Sequence, residues 1–148
     1  MRMDKLTSQF QTALADAQSL ALGKGHQFIE PVHLLLAMLD QQGSSVRHLL
    51  QLAAVNVNQL RSNLSDTLGR LPTVEGAAAA DVQLSNDLNR LFNVSDKLSQ
   101  QRQDAYISSE LFVLAALDDK GAAGSALQTA GANKKQLEKA IDDVRGGE

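Results

Sequence analysis

His26, Glu30, His33, Ser45 and His48 are the residues of this chain whose types could do chemistry. Glu30 and His33 stand three residues apart, a spacing that puts a carboxylate and an imidazole on one helix face. With Ser45 as nucleophile they would make a small hydrolase. The surrounding patterns do not support one. No H-E-x-x-H pair is present to hold a metal, and no Gly-x-Ser-x-Gly presents a serine. Gly23-Lys24-Gly25 lacks the rest of a phosphate-binding loop. The chain has no Cys, which excludes disulfides and thiolate chemistry. The simpler reading makes Glu30 a helix-start acid and His33 a packed helix-face residue. No catalytic and no metal-binding residue is therefore assigned, and the chain is not read as an enzyme.

The elements that would position these residues are duplicated. Phe28 to Asp40 recurs as Tyr106 to Asp118, with Ile29, Leu36, Ala37, Leu39 and Asp40 returning as Ile107, Leu114, Ala115, Leu117 and Asp118, and Gly43 as Gly121. After a one-residue shift, Leu50-Gln51-x-Ala53-x-x-Asn56-x-x-Gln59-Leu60 returns from Leu127 to Leu137. Such self-similarity predicts one supersecondary unit built twice. The spacing predicts an all-α fold of about eight helices in two four-helix repeats, 6–71 and 84–145, related by a pseudo-twofold axis. Thr7, Ser85 and Ser108 are placed as N-caps, and Asn56-x-x-Gln59 and Asn133-x-x-Gln136 as matching capping boxes. Residues 72–83, with Gly76 and four consecutive Ala, are expected to link the repeats. Residues 146–148 are expected to begin a tether.

Composition narrows the partners. Of 148 residues, 43% are apolar but only one Tyr and four Phe carry rings, so the core must be aliphatic. Lys and Arg total 14 against 17 Asp and Glu, a net charge of −3, which argues against nucleic acid. The chain has no apolar run of about 20 residues to span a membrane and no signal-peptide core after Met1, so a cytoplasmic protein is expected.

Thr7, Ala13-Leu14-x-x-Ala17-x-x-Leu20-Ala21 and Phe28-Ile29-x-x-x-His33-Leu34-Leu35-x-Ala37 together resemble the Clp amino-terminal repeat, over both halves of the chain. Arg70-Leu71-Pro72-x-Val74-Glu75-Gly76, Ile107 to Ala115 and Arg145-Gly146-Gly147-Glu148 resemble the ClpB-type disaggregase branch of that family. Ala54 departs from the glycine that the family often has after its third helix. The resemblance implies a domain that collects unfolded or aggregated polypeptides for a homohexameric chaperone. ATP and Mg would belong to motor modules of the same parent chain, and no cofactor to this part. It further implies substrate handling by Thr7, Asp104 and Glu110, with Leu91, Val94 and Ile107 beside them. The two acids are expected to flank a crevice left by the fifth and sixth helices against the first. The alternative it leaves open is docking of an adaptor protein.

Overall fold

Pro31 to Leu39 and Leu111 to Leu117 contain no charged side chain, and a helix that is apolar on every side must be enclosed on every side. A computed structural model, describing residues 3–74 and 82–146, shows how this is done. Eight α-helices occur among the described residues: α1 (Ser8–Gly23), α2 (Pro31–Asp40), α3 (Ser45–Leu52), α4 (Val57–Gly69), α5 (Asn86–Gln101), α6 (Ser109–Leu117), α7 (Ala122–Thr129) and α8 (Lys134–Val144). All of Pro31 to Leu39 in α2 and Leu111 to Leu117 in α6 are buried. The amphipathic helices wrap this central pair. The expected all-α architecture is present. Gly76, Ala77 to Ala80 and most of the expected linker lie outside the described residues, as do Gly147 and Glu148.

Each repeat packs into the other. α3 lies on α8 and α4 lies on α7, contacts that exchange under a twofold swap of the halves. Three phenylalanines bind the halves at the centre. Phe10 of α1, Phe92 of α5 and Phe112 of α6 form a triangle with ring centroids 5.8–6.2 Å apart. Such tilted and edge-on rings add to the energy of burial itself.

The local caps follow the sequence. Thr7 Oγ1 accepts from the Phe10 N–H at 3.3 Å and Ser85 Oγ from the Leu88 N–H at 3.0 Å. Asn56 and Asn133 accept from Gln59 and Gln136 at 3.1 and 3.0 Å. Ser108 differs, for it holds the N-cap position of α6 without a capping bond.

Two short pairings join the halves in a way the periodicity does not foretell. β1 (Phe28–Ile29), just before α2, runs parallel to β2 (Gln83–Leu84), just before α5. Leu6, just before α1, bridges in parallel to Ile107, just before α6. The Thr7 N–H donates to the Ile107 carbonyl at 3.0 Å and the Ser85 N–H to the Ile29 carbonyl at 3.1 Å. Each repeat thus binds its first helix cap to the other repeat's central strand. Gln83, expected in the linker, belongs to this pairing.

The one-residue shift falls in the loop after the central helix. In the first repeat Arg47 of α3 donates to the Leu39 carbonyl at 2.7 and 3.2 Å, satisfying the end of α2. In the second, the path from Leu117 to Ala122 is one residue shorter than that from Leu39 to Ser45, and Gly124 takes Arg47's place. A Cβ there would collide with the Asp119 carbonyl oxygen and stand 2.7 Å from that of Ala116. Gly43 and Gly121 consequently part company, with φ of +67° and −79°. Leu52 ends the two-turn α3 with 53% exposure, because the buried face is already supplied by Val46, Leu49 and Leu50.

Ala54 and Gly131 close the equivalent turns after α3 and α7 with φ of +63° and +100°. The Val55 and Ala132 N–H groups reach back to Leu50 and Leu127 at 2.9 Å in both. A side chain resists this left-handed geometry. Space at Gly131 is ordinary, its nearest prospective contact being the Ala54 carbonyl at 3.6 Å, so conformation alone decides. Ala54→Gly should therefore stabilise the protein and Gly131→Ala destabilise it, each by about 1 kcal/mol. Urea titration of both variants checks this, and a stabilised Gly131→Ala would contradict it.

Candidate functional site

Asp104 and Ser108 lie on the segment between α5 and α6, and Glu110 on the first turn of α6; the segment is fixed at both ends. α5 stops after Gln101, Gln103 turns the chain with φ of +60°, and the Asp104 N–H closes onto the Ser99 carbonyl at 2.9 Å. Three residues on, Ile107 is held by the Thr7 N–H and donates its own N–H to the Lys5 carbonyl at 2.8 Å. This brings Thr7 to the acidic segment through the backbone. Its hydroxyl is already engaged as the cap of α1.

The two acids meet over an arginine. Arg145, at the C-terminal end of α8, donates from Nη1 to Asp104 Oδ1 at 3.1 Å and from Nε and Nη2 to Glu110 Oε2 at 3.3 and 3.2 Å. Nη2 also reaches Ser108 Oγ at 3.2 Å, which accounts for the missing cap on α6. Asp104 Oδ2 is buried and lies 3.0 Å from Nη2 without hydrogen-bond geometry, held by charge alone. The three ionic side chains are 21–27% exposed. Burial alone would lower the Arg145 pKa, but hydrogen bonds and negative charge from Asp104 and Glu110 outweigh it, and the pKa is raised.

The hollow beside this cluster lies elsewhere than the sequence predicts. Glu110 borders a small depression lined by Ser45, Val46 and Leu49 of α3 and by Ile141 and Val144 of α8. α1 does not line it. Leu91 and Ile107 are core residues, 2% and 1% exposed, and offer no surface in this conformation. Val94 and the neighbouring Tyr106 do, with 39% and 57% exposure. Arg145 escaped the sequence reading as a site residue. It stood in the motif at the end of the chain, but its partners are 35 and 41 residues away and no local spacing announces them.

His33, read as a packed residue, is also a hydrogen-bonding relay. Its Nδ1 accepts from the Glu30 N–H at 2.8 Å, which assigns the ring proton to Nε2. Nε2 then donates to His26 Nδ1 at 2.9 Å. Both rings are buried, and neither nitrogen of His33 remains for a nucleophile at Ser45, whose hydroxyl donates to Gln9 Oε1 at 2.7 Å.

Replacing Arg145 by Met should leave two half-buried carboxylates facing each other and cost about 1–3 kcal/mol. Adding Asp104→Asn and Glu110→Gln should recover part of that loss in a urea-denaturation cycle. Recovery of none would mean that the arginine acts through its packing alone. Burial and the neighbouring His26 hold the His33 pKa down from 6.5 to about 4. The unfolded ring therefore takes up a proton that the folded one refuses, and stability present above pH 6.5 is lost as pH falls toward 4. Between pH 7 and pH 5 the loss should be about 2 kcal/mol. In His33→Leu, which installs the residue of the second repeat, that slope should flatten.

Comparison with known proteins accords with this architecture. The family model described as the Clp repeat (R) N-terminal domain matches residues 5–130. A relative from Vibrio cholerae serotype O1, Chaperone protein ClpB, is 55% identical over 148 residues, covering 100% of this chain and 17% of the relative. Its Pseudomonas putida counterpart is 49% identical over 147 residues, covering 99% of this chain and again 17% of the relative. The chain thus spans about a sixth of the length of these relatives. The crystal structure of the Hsp104 N-terminal domain from Candida albicans shares the fold, with a TM-score of 0.83 at 18% identity over 97% of this chain and 93% of that one. A ClpV N-domain solved in complex with a VipB peptide has a TM-score of 0.77 at 27% identity, over 94% of this chain and 86% of that one.

Proposed function

The chain belongs to the Clp repeat N-terminal domain family, and from that premise we propose that it is the polypeptide-binding domain of an ATP-driven disaggregase chaperone. Its task is to collect unfolded or aggregated chains for motor modules that lie outside it, in a parent that works as a homohexamer. The observation that carries this is the pairing of an apolar hollow with a carboxylate on its rim. Val46, Leu49, Ile141 and Val144 supply the apolar wall, and Glu110 the charge. An unfolded segment offers apolar side chains among basic ones, and this surface matches both. Because Arg145 occupies Glu110 and Asp104, a basic client group has to share or replace it. Binding rather than turnover is the assigned role, in the cytoplasm, and it needs no cofactor within the domain.

Docking of one folded adaptor is the second reading. The peptide-bound ClpV N-domain favours it, since there a domain of related fold takes a segment of one particular partner.

The two differ in affinity. A contact within one small domain falls short of the roughly 1,200 Å² of stable complexes, and ordering a disordered client costs free energy as well. A labelled unfolded protein should bind this chain with a Kd of about 10 μM or weaker, and Asp104→Ala and Glu110→Ala should weaken it further. Thr7→Ala should act chiefly through the cap of α1. Nanomolar binding, or preference for native over unfolded proteins, would transfer the assignment to adaptor docking.

A further inference from the structure

Three of the four phenylalanines fill the centre of the core; the fourth, Phe28, is 42% exposed. It stands at the outer side of β1, beside Val74, itself 38% exposed. The Val74 N–H donates to the Gly25 carbonyl at 2.8 Å, folding the segment after α4 back across the start of β1. Leu71, Pro72, Val74 and Phe28 then line a hollow of about 160 Å³, room for one large side chain, with His26 at its wall and Glu30 at its edge. Two further depressions share Glu30 with it. One includes Asp87 at the start of α5, the other Asp87 and Asp119.

The charges along these three depressions have one sign. Among the described residues lining them the carboxylates are Glu30, Asp87 and Asp119, and none is Lys or Arg. Arg90 of α5 pairs with Asp87 at 2.9 Å and Asp119 at 2.6 Å, so those two acids are largely compensated. Glu30 forms no ion pair among the described residues, and it is the acid all three depressions share. His26 adds no charge at neutral pH, since burial and the nearby Lys24 lower its pKa.

We propose that the hollow formed by Phe28, Leu71, Pro72 and Val74 is a second docking site, separate from the Arg145 cluster, for a linear polypeptide segment carrying a large apolar side chain beside a Lys or Arg. The apolar side chain enters the hollow against the Phe28 ring, and the cation lies against Glu30. The proposal rests on the polypeptide-binding function above and names the kind of segment that this face selects. Tyr106 occupies the place of Phe28 in the second repeat.

The probe is a fluorescein-labelled Gly/Ser peptide with a central Leu-Arg, compared with Ser-Arg and Leu-Glu versions. Titration should follow anisotropy and amide chemical shifts of the whole chain. Leu-Arg should bind best, with shifts at Phe28, Glu30 and Leu71 to Val74. Phe28→Ala should weaken it about tenfold and Glu30→Gln about two- to fivefold. Thermal melts verify that the variants fold, and the wild-type shift map decides if Phe28→Ala does not. Binding indifferent to the Leu-Arg pair, or shifts clustered at Glu110 and Val144, would overturn this site and leave the proposed function standing. Shifts at Phe28 that grow with protein concentration without peptide would assign the face to a second copy and overturn it too. Absence of binding by both peptide and unfolded protein would overturn the site and the function together.

Discussion

Two buried helical stretches set the terms for every other element. Pro31 to Leu39 of α2 and Leu111 to Leu117 of α6 are enclosed on every side, and burying each large aliphatic side chain is worth about 1.5–3 kcal/mol. Enclosure creates a second demand. The first N–H groups of a helix have no partner within it, and at a buried start water is not there to serve them. α2 meets this with Pro31, which has no N–H to satisfy, and with the His33 ring, which accepts from Glu30. A buried imidazole then needs a partner of its own, and His26 supplies it. A chain of small necessities leads from an all-apolar helix to a histidine pair.

The second repeat answers the same demand differently. Leu111 replaces His33, and the polar work moves outward to Arg145, which gathers Ser108, Asp104 and Glu110. One half is therefore held at its helix start by a neutral relay and the other by an ionic cluster. The ionic cluster borders solvent and an apolar depression, whereas the relay is buried, with His26 at the wall of the hollow beside Phe28. Divergence of the halves has left an ionic cluster at the surface on one side and, on the other, an exposed aromatic ring near a carboxylate that forms no ion pair among the described residues.

Features that depend on residues three or four apart were legible in the sequence. Thr7, Ser85, Asn56 and Asn133 announce the helix starts because each bonds to the N–H three positions along. The duplication announced the twofold arrangement, since equivalent stripes of Leu and Ala must be covered in equivalent ways. What stayed hidden is of longer range. Two-residue strands have no periodicity to read, and the partner of Thr7 is Ile107, across the whole first repeat. The acids Asp104 and Glu110 were named through the resemblance and their clustering was not foreseen, for nothing near them in sequence points to Arg145. Leu91 and Ile107 are apolar enough to line a groove or a core, and only the packing of α5 and α6 decides for the core.

The exchanged pairing bears on how the protein is made. Lys5 and Thr7 leave the ribosome about 100 residues ahead of Ile107, whose N–H and carbonyl they bond. At about 5–20 residues per second that interval is about 5–20 s. The first repeat can wind its helices in that time, but it cannot close its own beginning. The seam before α1 waits for the second repeat, so a segment synthesised ahead of both central helices is among the last to be secured.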